Sequence, residues 1–110
     1  MKPQDANAVF MYIAKVKQEN MQNSISREDI EKATGFDTLY VWEILKHLKE
    51  KEVIRFIITG GRTALNLQLT SDGWDYLWEK EDTIKRLLKG TKFEKLLEVY
   101  RLAKEKINKD

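Results

Sequence analysis

Residues 26–48 read SREDIEKATGFDTLYVWEILKHL, and this stretch decides the fold. Ser26 is placed to cap a helix, with Asp29 three residues on to answer it, a looser form of the reciprocal capping pair. Within that helix Ile30 and Ala33 are the inward-facing positions. Gly35 then supplies the left-handed turn that other residues adopt only at a cost. Phe36 is an apolar plug, and Asp37 caps a second helix. Val41, Ile44, Leu45 and Leu48 fall on one face of that helix at helical spacing. A short helix, a tight glycine turn and a second capped helix make a helix-turn-helix, the unit that carries its second helix to the major groove of DNA.

The next residues narrow the reading. Ile54, Phe56 and Ile58 alternate with Arg55, Ile57 and Thr59; Leu65, Leu67 and Leu69 alternate with Ala64, Asn66 and Gln68. Period two on both sides of Gly60-Gly61 predicts a β-hairpin closed by a two-residue turn, because such a turn needs the positive φ that glycine provides. In order and in local sequence the chain resembles winged-helix transcriptional regulators of the multiple-antibiotic-resistance-regulator and phenolic-acid-regulator types. The matching features are ATGFD at 33–37, LKHLKEKEVI at 45–54 and LTSDGWDYL at 69–77, over roughly residues 8–80. The resemblance implies a mostly α fold with a small β-hairpin wing (α+β). It implies a winged helix-turn-helix domain, here residues 1–80, and double-stranded DNA as partner; residues 81–110 read as a helical extension beyond it. It also implies that Ile25 makes a short β-bridge to the wing.

Length and composition agree with this size of fold. A chain of 110 residues is one domain with one modest core. Its 42% apolar residues are ordinary for a globular protein, and its 35% charged residues, with both signs interspersed, describe solvated helices. No run is long enough to cross a membrane. Asp5 and Asn7 stand where a signal peptide would have its apolar centre, so a cytoplasmic location is expected. There is no cysteine, which excludes disulfides and zinc fingers. The net charge is only +2, but it is uneven: from Ile84 onward, leaving aside Asp110, nine bases face three acids. The helix-turn-helix half is therefore near neutral or acidic, although phosphate neutralisation supplies most non-specific DNA affinity. The basic tail reads equally as a solvated helix surface or as a phosphate-facing one.

The flanking segments read as helices. Residues Asp5–Asn20 carry Ala6, Val9, Phe10, Ile13 and Val16 as a buried stripe, with Asp5 as cap and Pro3 outside the fold. Thr70 or Ser71 caps a helix whose stripe runs through Trp74, Leu77 and Trp78 toward Leu88. Gly90 is a stop signal, and Thr91 with Glu94 opens a last helix. That helix carries Phe93, Leu96, Leu97, Tyr100, Ala103 and Ile107 as an apolar seam. The seam either pairs with a second copy across a two-fold axis, giving a homodimer through the C-terminal helix, or packs back on the first helix.

The candidate DNA-binding residues lie on the second helix and the hairpin. Thr38, Leu39, Tyr40, Trp42, Glu43, Lys46 and His47 are the positions left outward once the core face is assigned. Thr38 and Tyr40 can donate to phosphate or base edges, and Lys46 can pair with phosphate or guanine. Arg62 at the hairpin tip, supported by Arg55 and Thr63, is the minor-groove candidate that the resemblance implies. Two residues, Trp42 and Glu43, depart from the family pattern. Glu43 would repel phosphate, though it can accept from a cytosine amino group. Trp42 and Leu39 suit a helix that docks on protein; Trp42 can equally lie half buried over the core edge.

Other chemistry is not signalled. His47 is the only histidine and has no partner ligands, so no metal site is expected. Gly60-Gly61 lacks the rest of a phosphate loop. Glu28, Asp29 and Glu31 favour the helix macrodipole and lack a cleft or proton partner for catalysis. No cofactor and no enzymatic activity are expected. A winged helix used as a protein-interaction module is the alternative function. A ligand-gated regulator with a pocket among the aromatic-rich last helices is a third.

Overall fold

The computed structural model describes residues 1–61, 63–80, 82, 83, 86 and 89. The elements run α1 (Pro3–Glu19), α2 (Arg27–Thr34), α3 (Thr38–Glu50), β1 (Ile54–Thr59), β2 (Thr63–Leu69) and α4 (Ser71–Glu79). Helix-turn-helix, hairpin and following helix therefore stand as the sequence predicts. The fold is mostly α with a small antiparallel ribbon. The proposed extension over residues 81–110, including the last helix and its seam, lies almost entirely outside the described residues.

α1 is the central post of the core. Ala8, Val9, Phe10, Met11, Ile13 and Ala14 are all buried, so it is enclosed on more sides than one stripe implies, while Val16 is only half buried. Ile30 from α2, Val41, Ile44 and Leu45 from α3, Ile54 and Leu67 from the hairpin and Leu77 from α4 close around it. Each such side chain contributes roughly 1.5–3 kcal/mol by leaving water. Two expectations at the start of α1 are corrected. Pro3 is its first residue, where a fixed φ and a missing N–H cost nothing. Asp5 is not the cap; it lies in the first turn, buried, and faces α3.

The α2–α3 unit follows its sequence signals closely. Ser26 Oγ accepts from Asp29 N–H at 3.1 Å, and Asp29 Oδ2 accepts from Ser26 N–H at 3.0 Å, a complete reciprocal cap. Gly35 takes φ 77° and sends its N–H back to Glu31. Asp37 accepts from Tyr40 N–H at 2.8 Å and starts α3. Ala33 is exposed, against expectation; Thr34 takes the inward place, its hydroxyl donating to the Ile30 carbonyl and accepting from Phe36 N–H. A back-bonding threonine thus brings the end of this short helix under the turn.

The hairpin departs from simple alternation. The ladder pairs Ile54 with Leu69 and Arg55 with Gln68, then shifts by one residue to pair Ile57 with Leu65, Ile58 with Ala64 and Thr59 with Thr63. The extra residue is on β2, at Asn66, whose φ is 58°. This is a β-bulge, and asparagine is one of the few residues with a side chain that tolerates that conformation. In consequence Ala64, Leu67 and Leu69 face the core while Leu65 points outward. Ile58, expected inward, is exposed as well. The connection between Thr59 and Thr63 is three residues long, not two. Ile25 is buried beside β2 but forms no bridge: among the described residues the sheet consists of β1 and β2.

α4 begins where Thr70 Oγ1 accepts from Gly73 N–H at 2.9 Å, as one of the two predicted caps. Gly73 is buried so tightly on the Val53 carbonyl that a Cβ at this position would overlap that oxygen. The same carbonyl accepts from Thr70 N–H. Leu77 is the buried residue of the α4 stripe; Trp74 is half buried and Trp78 exposed, the two rings stacked at 6.1 Å.

Candidate nucleic-acid interface

The core takes Val41, Ile44, Leu45 and Leu48, and this fixes which residues of α3 remain outside. Leu39, Glu43, Lys46 and Glu50 are exposed and follow one another at four-, three- and four-residue spacing along one stripe. Among the described residues neither Glu43 nor Lys46 is held by a hydrogen bond or an ion pair. This stripe is the free face of the helix. The helix carries two acids and two lysines, so it presents no net charge.

The remaining candidates on α3 are withdrawn to its two sides. Tyr40 is turned toward α1 and the turn before α3. Its ring packs edge-on against Phe36 at 5.1 Å, its hydroxyl donates to Asp5 Oδ2, and it accepts from Lys2 N–H. The bond to Asp5 comes first among the causes that raise its pKa above the ordinary phenol value, followed by burial. Spacing on α3 alone could not reveal this, because the partner is 35 residues away. Thr38 is half buried. His47 is half buried on the same side as Tyr40, in a cleft of about 560 Å³ between the start of α1, the end of α3 and α4, lined also by Lys2, Phe10, Lys51 and Tyr76.

The other side of α3 meets the wing. Trp42 is half buried against Phe56 of β1, ring centroids 6.0 Å apart, which is the packing alternative for this residue. Lys49 Nζ lies 4.8 Å from the centroid of the same ring, a cation–π contact. Phe56 therefore joins helix to hairpin, and Lys49 is a cation at that junction which the sequence reading did not single out. Its signal was its spacing: it lies seven residues after Trp42, on the same side of the helix.

On the hairpin, Arg55 and Thr63 are exposed, and Thr63 is held through its carbonyl by the Thr59 hydroxyl at 3.2 Å. Arg62 lies outside the described residues. The outward face carries Ile57 and Leu65, paired across the strands and 57% and 47% exposed. Among the described residues no group of three or more His, Cys, Asp or Glu could hold a metal ion. No helix among them is long and apolar enough to cross a membrane.

No family model matches the chain, and no curated protein matches it. Solved structures do. The chain is similar to BpsR of Bordetella bronchiseptica, solved in a study of how 6-hydroxynicotinic acid regulates its DNA binding. The identity is 24% and the TM-score 0.50, over 93% of this chain and 73% of that one. It is also similar to MepR, a transcription regulator of the Staphylococcus aureus multidrug efflux pump MepA. Here the identity is 15% and the TM-score 0.55, over 100% of this chain and 81% of that one. With the element order and the presented α3, these establish the chain as a winged helix-turn-helix protein of the fold those regulators have.

Proposed function

We propose that this chain binds double-stranded DNA in a sequence-specific way, as a small cytoplasmic transcriptional regulator that works as a homodimer. The observation that carries the reading is α3: its core face is sealed, its stripe from Leu39 to Lys46 is free, and the hairpin stands beside it. This is the arrangement in which a helix enters the major groove while a wing follows the backbone. BpsR, whose DNA binding is regulated, and MepR, a transcription regulator, have the same fold and support the reading. Lys46 and Lys49 from α3 and Arg55 and Arg62 from the wing are the cations that would meet phosphate or base edges. Tyr40 and His47 are assigned to the scaffold. The apolar seam from Phe93 to Ile107, read in the sequence, is the proposed dimer contact.

The test is a duplex titration at several salt concentrations, with solution mass measured on the same sample. The expected result is dimer mass and an affinity that falls linearly in log–log form with salt. No binding of random duplex at low salt would end this reading.

A second reading, a protein-interaction module, has its own support. Ile57 and Leu65 form an exposed apolar pair, Leu39 is 57% exposed, and α3 has no net charge. Such a surface suits an apolar partner better than a polyanion. A chain that ignores duplex at low salt, and whose Ile57→Thr and Leu39→Ser variants lose a protein partner, would be this second kind.

A further inference from the structure

We infer that Glu43 is a specificity-determining residue, selecting a cytosine in the target while Lys46 takes a neighbouring guanine; this rests on the DNA-binding reading of α3. With Tyr40 and His47 turned toward α1 and Trp42 turned onto Phe56, the free stripe holds Leu39, Glu43, Lys46 and Glu50; Glu50 is the last residue of α3, and the first three lie toward the end that this motif inserts into the groove. From Leu39 to Lys46 the helix rises roughly 10 Å, about three base steps of 3.4 Å. The stripe is therefore matched to a short run of consecutive pairs.

A carboxylate on such a stripe has narrow options. It can only accept hydrogen bonds, and it repels phosphate. In the major groove cytosine offers its N4 amino group as a donor. Adenine sets its N6 donor beside the N7 acceptor, which opposes the second carboxylate oxygen; guanine offers only O6 and N7 acceptors. Glu43 is thus satisfied by cytosine and by no other base to the same degree. Lys46 lies three residues on, less than one turn away, and its ammonium complements the O6 and N7 acceptors of guanine. The acid and the base, unpaired with each other among the described residues, together match a C·G pair or two adjacent ones. Leu39 adds an apolar contact suited to a thymine methyl group.

Glu43, together with Glu50, offsets the two lysines of α3. An acid there weakens attraction to every duplex and is compensated only where an amino group meets it. The same side chain thus lowers non-specific affinity and rewards one base.

The experiment selects binding sites from a randomised duplex library with wild type, Glu43→Gln and Glu43→Ala, and titrates each protein with random duplex. Glutamine pairs with adenine N6 and N7. The expected result is one position of the wild-type site at which cytosine gives way to adenine in Glu43→Gln, with a preference change on the order of tenfold. Glu43→Ala should lose preference there. Both variants should bind random duplex more tightly than wild type, an effect that damage to the fold would not produce. Wild-type binding with a selected site unchanged in both variants overturns the role of Glu43 and leaves the DNA-binding reading standing. No duplex binding by wild type overturns both.

Discussion

The Tyr40 hydroxyl donates to Asp5 Oδ2 at 2.5 Å, fastening the first turn of α3 to the first turn of α1. Asp5 is only 8% exposed, so removing its donor leaves a buried carboxylate short of a partner. Tyr40→Phe should cost about 1.5–3 kcal/mol, the range for a hydrogen bond to a charged group. The bond also raises the pKa of Tyr40 above the ordinary value of 10.0. A raised pKa in the folded state means stability that is complete below that value and lost as pH rises through the higher one. Urea midpoints measured across the alkaline range should fall for wild type above about pH 10 and fall less for Tyr40→Phe.

The two halves of the Ser26–Asp29 cap are separable. Ser26→Ala removes the hydroxyl acceptor but keeps the backbone N–H that bonds Asp29, and should cost about 1 kcal/mol at neutral pH. That backbone bond comes first among the causes that hold Asp29 below its ordinary value of 3.8, with the Ser26 hydroxyl second. A lowered pKa means stability that is complete above 3.8 and lost as pH falls through the lower value. Acid titration followed by circular dichroism should show this loss in wild type and in Ser26→Ala, and a smaller loss in Asp29→Asn.

Gly73→Ala tests the junction of α4 with the turn before β1. Its Cβ would overlap the Val53 carbonyl oxygen, which is backbone and already bonded to Thr70 N–H. Neither element can yield without breaking that bond. The expected cost is about 1–3 kcal/mol or more, as for other overpacked sites. Alanine at the exposed Ala33 position already shows that helices here accept alanine. A melting temperature unchanged in Gly73→Ala would contradict the packing described.

Lys46→Ala on the free face of α3, and Arg62→Ala, should each reduce the salt dependence of duplex binding by about one counterion. Lys46 is exposed and unpaired among the described residues, so its removal should change stability by less than about 0.5 kcal/mol. Ile57→Thr, also at an exposed site, should be equally silent in stability and in duplex affinity. A loss of duplex binding in Ile57→Thr would move the wing's apolar face into the DNA contact.

Local signals were legible wherever the physics is local. The Ser26 and Asp37 caps, the positive φ at Gly35 and the buried face of α3 all follow from residues within a few positions of one another. The hairpin was legible as two alternating runs, but its phase was not. Alternation counted straight through Asn66 places Leu65 with Leu67, and only the tolerance of asparagine for positive φ hinted otherwise. The bond from Tyr40 to Asp5 was not legible because its partner comes from a different helix. Ala33 and Thr34 exchanged roles because a single hydroxyl bond to Ile30 decides the end of so short a helix. On α3, periodicity marked Leu39, Glu43 and Lys46 as outward but could not show that Tyr40, Trp42 and His47 pack against neighbouring elements.

The bulge at Asn66 separates two properties of the ribbon that usually change together. Take that one residue out and the ladder runs evenly from Ile54–Leu69 to Thr59–Thr63, with every other side chain keeping its present inward or outward place. What would alter is the lean of the tip relative to α3. The wing's aim is set at a single exposed asparagine, while its chemistry is written elsewhere, so one deletion could steer the ribbon to a different track without repainting its surface.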